Sequence, residues 1–169
     1  FLLCILFLGE AEGQVEFSVP PNIIIFLMDD MGIGDCRAYN KSSKVHLPNL
    51  EKLAKEGIRF TDAHAPAAVC APTRYSILTG NYPWRGRNPN GTWLFNMPSQ
   101  VLPGQQTIGQ LFKKAGYHTA FLGKVHLGGK VFSKSTGKPK LSMKGGFQDF
   151  VFSRKVEVSP ASLGFDYAY

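Results

Sequence analysis

The run Asn22-Ile-Ile-Ile-Phe-Leu-Met28, broken abruptly by Asp29-Asp30, decides the fold expected of this chain. It is continuously apolar, without the alternation of a strand that has one wet face. That is the signature of a strand buried on both sides in a parallel sheet. Parallel strands need helical crossovers between them, and the sequence supplies candidates. Pro48-Asn-Leu-Glu-Lys-Leu-Ala-Lys-Glu-Gly57 places proline early and glycine just past the end, the asymmetry of a short helix. A second helix is predicted from about Cys70 to Gly80. A third starts from a Thr107 cap, runs through Ile108, Leu111 and Phe112, and stops at a Gly116 C′ position. Tyr117-His-Thr-Ala-Phe-Leu122 reads as a further strand, ending in Gly123-Lys124-Val125-His126. The expected class is α/β, a largely parallel sheet flanked by helices. Asn81 to Gly104, rich in Pro, Gly and Asn, is predicted to be a long surface excursion.

The chain has 169 residues, 44% of them hydrophobic and 18% charged, which suits one globular domain and excludes a disordered segment. It opens on Phe1-Leu-Leu-Cys-Ile-Leu-Phe-Leu8, followed by small residues at Gly9, Ala11 and Gly13. Eight apolar residues cannot cross a bilayer, which takes roughly 20. They fit the apolar core and cleavage zone of a secretory signal, so residues 1–19 are read as a signal remnant with cleavage within 11–19. Residues 20–169 are read as the N-terminal part of a longer catalytic domain, incomplete at its C-terminal end. No later segment is long enough for stable membrane insertion. The sequons Asn40-Lys-Ser42 and Asn90-Gly-Thr92 make Asn40 and Asn90 candidate N-glycosylation sites on a secretory route, to the exterior or the lysosome.

The net charge is +7, and five of those charges fall between Gly129 and Ser159, where Lys130, Lys134, Lys138, Lys140, Lys144, Arg154 and Lys155 outnumber Asp149 and Glu157. No nucleic-acid-binding module accompanies the charge, and a solvated loop is the expectation. The alternative is a rim that guides a polyanion.

Two strand ends bring chemistry together. In open α/β sheets ligands bind beyond the carboxyl ends of strands, so Asp29-Asp30 and Lys124/His126 could face one site. Adjacent buried carboxylates raise each other's pKa unless a positive group lies between them, which points to a hard divalent cation such as calcium or magnesium. A surface turn through Met31-Gly-Ile-Gly34 accounts for the same residues. Cys70-Ala-Pro-Thr-Arg74 places a thiol where a helix begins. If Cys70 is the cap, Pro72 sits harmlessly in the first turn and Arg74, on the same face, reaches back toward position 70. The helix N-terminus adds positive potential, so position 70 suits contact with an anion. Two readings remain open here: the reactive thiolate of a cysteine hydrolase or phosphatase, and a disulfide, either between Cys36 and Cys70 or from Cys36 to a cysteine beyond Tyr169. Lys124 could equally be a snorkelling surface lysine and His126 a satisfied loop histidine. His46, His64 and His118 have no comparable placement.

Taken together, four ordered motifs resemble the type I sulfatases of the alkaline phosphatase superfamily. Cys70-Ala-Pro-Thr-Arg74 with Leu78-Thr-Gly80 is similar to their modification signature. Asn22 to Asp35 resembles their first metal-binding strand, and Pro48 to Phe60 the helix that follows. Gly116-Tyr-His-Thr-Ala-Phe-Leu-Gly-Lys-Val-His-Leu-Gly128 resembles their second signature, and the likeness resumes at Leu163-Gly-Phe-Asp-Tyr167. The resemblance implies that Cys70 is oxidised to formylglycine by the formylglycine-generating enzyme during secretion, and that its hydrate is the nucleophile. A serine would leave a stable sulfated enzyme, whereas the second hydroxyl of a gem-diol lets the aldehyde re-form as sulfate departs. It also implies that Asp29, Asp30 and the modified Cys70 bind a divalent cation, calcium ahead of magnesium. Arg74 would hold the diol, Lys124 the sulfate group, and His126 the second hydroxyl. The implied substrate is a sulfate ester, aryl or carbohydrate, with sulfated polysaccharides among the candidates.

The sequence departs from the family pattern at Thr73, where serine is usual, and at Val125, where tryptophan is usual and a changed pocket wall is expected. Further metal ligands, a second histidine and a second lysine are expected from beyond Tyr169, so residues 20–169 alone are expected to be inactive. The rival readings are a phosphomonoesterase or phosphodiesterase on the same scaffold, and a secreted pseudo-sulfatase that binds sulfated glycans.

Overall fold

Capping chemistry fixes the helices. In the computed structural model, which describes residues 20–90, 93–140, 146–154 and 156–169, α1 spans Pro48–Glu56 with proline in its first turn, and the Gly57 N–H closes it onto the Leu53 carbonyl. Helix α2 spans Cys70–Thr79 and ends at Gly80, whose φ of 67° is the left-handed conformation that glycine adopts without strain. Helix α3 spans Ile108–Lys114. Its Thr107 cap accepts from the Gln110 N–H while the Gln110 side chain returns to the Thr107 N–H, a reciprocal capping box. At its other end the Gly116 and Tyr117 N–H groups bond back to Lys113 and Phe112, a Schellman closure. The signal reading for residues 1–19, and Thr92, Lys144 and Lys155, lie outside the described residues.

The architecture is α/β, with a parallel strand pair beside the helices. Strand β1, Ala120–Phe121, pairs in parallel with β4, Tyr167–Ala168. Flanking bonds from Asp166 and Tyr167 N–H to the Thr119 carbonyl, and from Gly123 N–H to Tyr169, extend the contact past the ladder. The strand expected over residues 117–122 is therefore present but short. A second, antiparallel pair joins β2, Phe132–Ser133, to β3, Phe150–Val151.

Three expectations are corrected. Asn22 to Met28 is not in a sheet: among the described residues nothing pairs with its backbone, and its side chains are exposed, Phe26 to 80%. A parallel strand is created by its neighbours, and apolar composition alone cannot satisfy its N–H and C=O groups. Second, residues 81–104 are not a surface excursion. Trp93, Asn96 and Gln100 are almost wholly buried, and Trp93 joins Ala71, Tyr75, Leu78, Leu127, Val158 and Leu163 in the core. Third, the basic 129–159 segment is more than a solvated loop. Phe150 is fully buried, and Lys140 is ion-paired to Asp149, whose carboxyl the lysine and the Ser135 N–H hold well below the usual carboxylate range. Among the described residues, Lys134, Lys138 and Arg154 are exposed, Arg154 lying over the Phe132 ring.

Candidate active site

Helix α2 sets the site. Val69 is its N-cap, in extended conformation, so Cys70 is the first helical residue and not the cap expected from sequence. The Thr73 hydroxyl explains the offset. It donates to the Ala67 carbonyl at 2.6 Å, while the Thr73 N–H bonds to Val69, and together they fold residues 67–69 across the helix start. Pro72 falls in the first turn, where its missing N–H removes no helical bond.

Arg74, one turn on, is buried. Its Nη1 donates to the Lys124 carbonyl at 2.7 Å, and its Nη2 to Asp29 Oδ1 at 3.2 Å. Asp29 Oδ2 accepts from Lys124 Nζ at 2.9 Å. One carboxylate thus bridges two cations from different parts of the chain. The Lys124 and Arg74 hydrogen bonds lower the Asp29 pKa, and the Asp29 bond raises that of Lys124. Asp30 has φ 61°, left-handed for a residue with a side chain, and its carboxylate makes no hydrogen bond or ion pair among the described residues.

His126 completes the cluster. Its Nδ1 lies 3.5 Å from Cys70 Sγ. Burial lowers its pKa, the charges of Lys124 and Arg74 lower it further, and the imidazole is held neutral. Cys36 is buried and Cys70 half-buried, and both are free thiols, so the disulfide between them is not formed. Val125 is half-buried and packs against the core cluster.

The structure gathers Asp29, Cys70, Arg74, Lys124 and His126, with Asp30 adjacent in sequence. Asn40 and Asn90 are exposed, and the Asn40 side chain bonds the Gly34 carbonyl. His46 and His118 are exposed, and His64 forms an exposed pair with Asp62. As cation ligands, Asp29 and Asp30 offer hard oxygens of the right chemistry. Calcium takes about six to eight such oxygens, and among the described residues no group of three or more His, Cys, Asp or Glu side chains is gathered for a metal.

The sulfatase family model matches residues 21–162. This chain belongs to the sulfatase family. It is 37% identical over 152 residues to the N-acetylgalactosamine-6-O-sulfatase of Bacteroides thetaiotaomicron, covering 90% of this chain and 26% of that sulfatase. It is 38% identical over 138 residues to human steryl-sulfatase, covering 79% and 23% respectively. A solved sulfatase structure from Bacteroides thetaiotaomicron, described with its metabolism of multiple glycosaminoglycans, superposes with a TM-score of 0.61 at 35% identity over 83% of this chain and 26% of that one. The chain thus spans about a quarter of the length of these sulfatases.

Sequence reasoning missed Trp93, which is buried in the core edge-on against Tyr75 of α2. The available signal was Trp93-Leu-Phe95, three apolar residues inside an otherwise turn-forming stretch.

Proposed function

We propose that the protein is a sulfuric ester hydrolase whose nucleophile is a formylglycine hydrate made from Cys70 in the secretory pathway by the formylglycine-generating enzyme. The observation that carries the reading is the convergence of Cys70, His126, Arg74, Lys124 and Asp29 at the start of α2. The sulfatase relatives support it.

The hydrate supplies a hydroxyl to attack sulfur and a second hydroxyl through which sulfate is released. Every other role falls to side chains of this chain. Neutral His126, 3.5 Å from the Cys70 sulfur, is placed to take the proton from a hydroxyl at that position. Lys124 provides a cation for the sulfuryl oxygens, where charge is stabilised most effectively by groups already in position. Arg74 is buried and doubly bonded, which suits it to fix Asp29 and the Lys124 backbone more than to contact substrate directly. Asp29, Asp30 and an oxygen at position 70 would hold the divalent cation, calcium ahead of magnesium, which would lower the hydroxyl pKa and offset sulfuryl charge. The substrate is a sulfate ester, and the N-acetylgalactosamine-6-O-sulfatase relative favours a carbohydrate sulfate.

The test is mass spectrometry of the residue-70 peptide from protein made in a secretory host, paired with hydrolysis of an aryl sulfate. Aldehyde at position 70 with turnover that chelators abolish is the expected result. Unmodified cysteine throughout would overturn the proposal.

A further inference from the structure

An open cleft of about 290 Å3 lies between the 99–110 and 157–163 segments, close to the lower end of the size range of small-ligand sites. None of the residues gathered at position 70 lines it. Its apolar lining comes from Val101, Leu102, Val158 and Leu163, the last two buried.

Most polar groups around the cleft are spent inside the protein. The Ser99 hydroxyl donates to the Val101 carbonyl, and the Thr107 hydroxyl to the Leu163 carbonyl. Gln105 bonds the Tyr75 hydroxyl, the Leu102 N–H and the Arg85 carbonyl. Three side chains keep unspent groups among the described residues. Arg87 donates through Nε to the Ser99 carbonyl at 2.7 Å and has Nη1 and Nη2 left over. Glu157 accepts from the Ser99 N–H through Oε2 at 3.4 Å and has Oε1 left over. Gln110 accepts from the Thr107 N–H through Oε1 and has the Nε2 donor left over.

These remainders describe a ligand. A guanidinium tethered at Nε offers its two Nη groups as a fork, the geometry that takes two oxygens of a carboxylate or sulfate. Glu157 offers an acceptor, which a hydroxyl satisfies. We propose that the cleft binds an anionic saccharide, with its sulfate or carboxylate on Arg87, a ring hydroxyl on Glu157, an oxygen on Gln110 and a C–H face against the apolar lining. The anion follows from Arg87; the choice of a saccharide to carry it rests on the carbohydrate-sulfate reading of the function.

The cleft is preorganised. The Arg87 N–H bonds to the Gln100 carbonyl at 3.1 Å, and the Glu157 N–H to the Gly129 carbonyl at 2.9 Å. Both charges therefore stand on paired backbone, which lowers the ordering cost of binding. The Gln100 N–H bonds in turn to the carbonyl of Leu127, the residue after His126. A sulfated polymer held in the cleft is thus tied close to the chain that carries the active site, which raises the effective concentration of its other ester groups there.

Binding is read without turnover. In the full chain carrying Cys70→Ala, with valine and leucine methyls labelled with 13C, the probe is a sulfated uronate–hexosamine tetrasaccharide. It is expected to shift the Val101, Leu102, Val158 and Leu163 methyl signals saturably. Arg87→Ala is expected to raise the dissociation constant about tenfold at an unchanged melting midpoint, and Arg87→Lys, which keeps the charge without the fork, about threefold. Absence of shifts at these methyls, or wild-type affinity in either variant, would overturn the proposal. Sodium sulfate giving the same shifts at the same concentrations would reduce the cleft to a simple anion site and overturn the saccharide. An uncharged tetrasaccharide binding equally well would overturn the role of Arg87. None of these readouts needs formylglycine, so unmodified Cys70 would count against the proposed function and leave the binding result standing.

Discussion

Asp29 and Lys124 lie 95 residues apart in the chain and are joined through Asp29 Oδ2 and Lys124 Nζ at 2.9 Å. The pair, with Arg74 on the other carboxylate oxygen, closes the site around position 70. Asp29→Asn would keep the shape and remove the charge that both cations share. Hydrolysis of an aryl sulfate is expected to fall about 100-fold or more, the scale on which preorganised charge acts at a reacting centre. Because the aspartate raises the Lys124 pKa, that pKa should drop in the variant, as read by NMR titration of 13C-labelled lysine. A Lys124 titration unchanged from wild type would show the pair to be incidental.

Cys70→Ser separates a modified nucleophile from an ordinary one. A serine hydroxyl at the start of α2 meets the same His126, so attack on sulfur remains feasible. It lacks the second hydroxyl that releases sulfate. The variant is expected to complete at most one turnover and to accumulate a sulfated residue-70 peptide, seen by mass spectrometry after incubation with substrate. Steady turnover by Cys70→Ser would contradict the proposed mechanism.

The helices were legible because their signals are local. Pro48 with Gly57, Thr107 with Gln110, and Gly116 each act within one turn of the helix they punctuate. The site residues were legible in kind for the same reason, since Cys70, Pro72 and Arg74 share one short helix. Their partners were not, because Arg74 reaches Asp29 and the Lys124 carbonyl across 45 and 50 residues of chain. The apolar 22–28 run misled for a related reason: composition records what a strand could bury, and its pairing depends on segments remote in sequence. Residues 81–104 misled differently. Their turn residues are real, but Trp93 and Gln100 satisfy their polar groups internally and so can be buried.

Thr73 offers a test of the helix start. Its hydroxyl reaches the Ala67 carbonyl at 2.6 Å, a bond that serine could also make and valine could not. Thr73→Ser is expected to change unfolding free energy by less than about 0.5 kcal/mol. Thr73→Val, nearly the same shape, is expected to cost about 1 kcal/mol, the usual net value of such a bond. Urea midpoints at constant m-value would check both. Equal midpoints for Val and Ser would mean that the hydroxyl does not hold the 67–69 segment in place.

Asp166 gives the sheet a defined pH response. Its carboxylate accepts from Lys113 Nζ, from the Thr119 N–H and from the Thr119 hydroxyl, and in that order these lower its pKa from 3.8 to about 2. The contacts tie α3 and the approach to β1 to the chain entering β4, so the charged carboxylate stabilises the parallel pair. A depressed folded pKa means that protons bind the unfolded chain more readily as pH falls. The contribution is therefore complete well above pH 3.8, shrinks as the unfolded carboxyl protonates, and is gone once pH falls through about 2. Asp166→Asn lacks this titration. Urea unfolding of both proteins across acidic pH should show a stability gap that is constant near neutrality and narrows steadily between about pH 5 and pH 2. A gap that stayed constant through that range would mean that the aspartate acts by shape and hydrogen bonding alone, without the charge that the three donors favour.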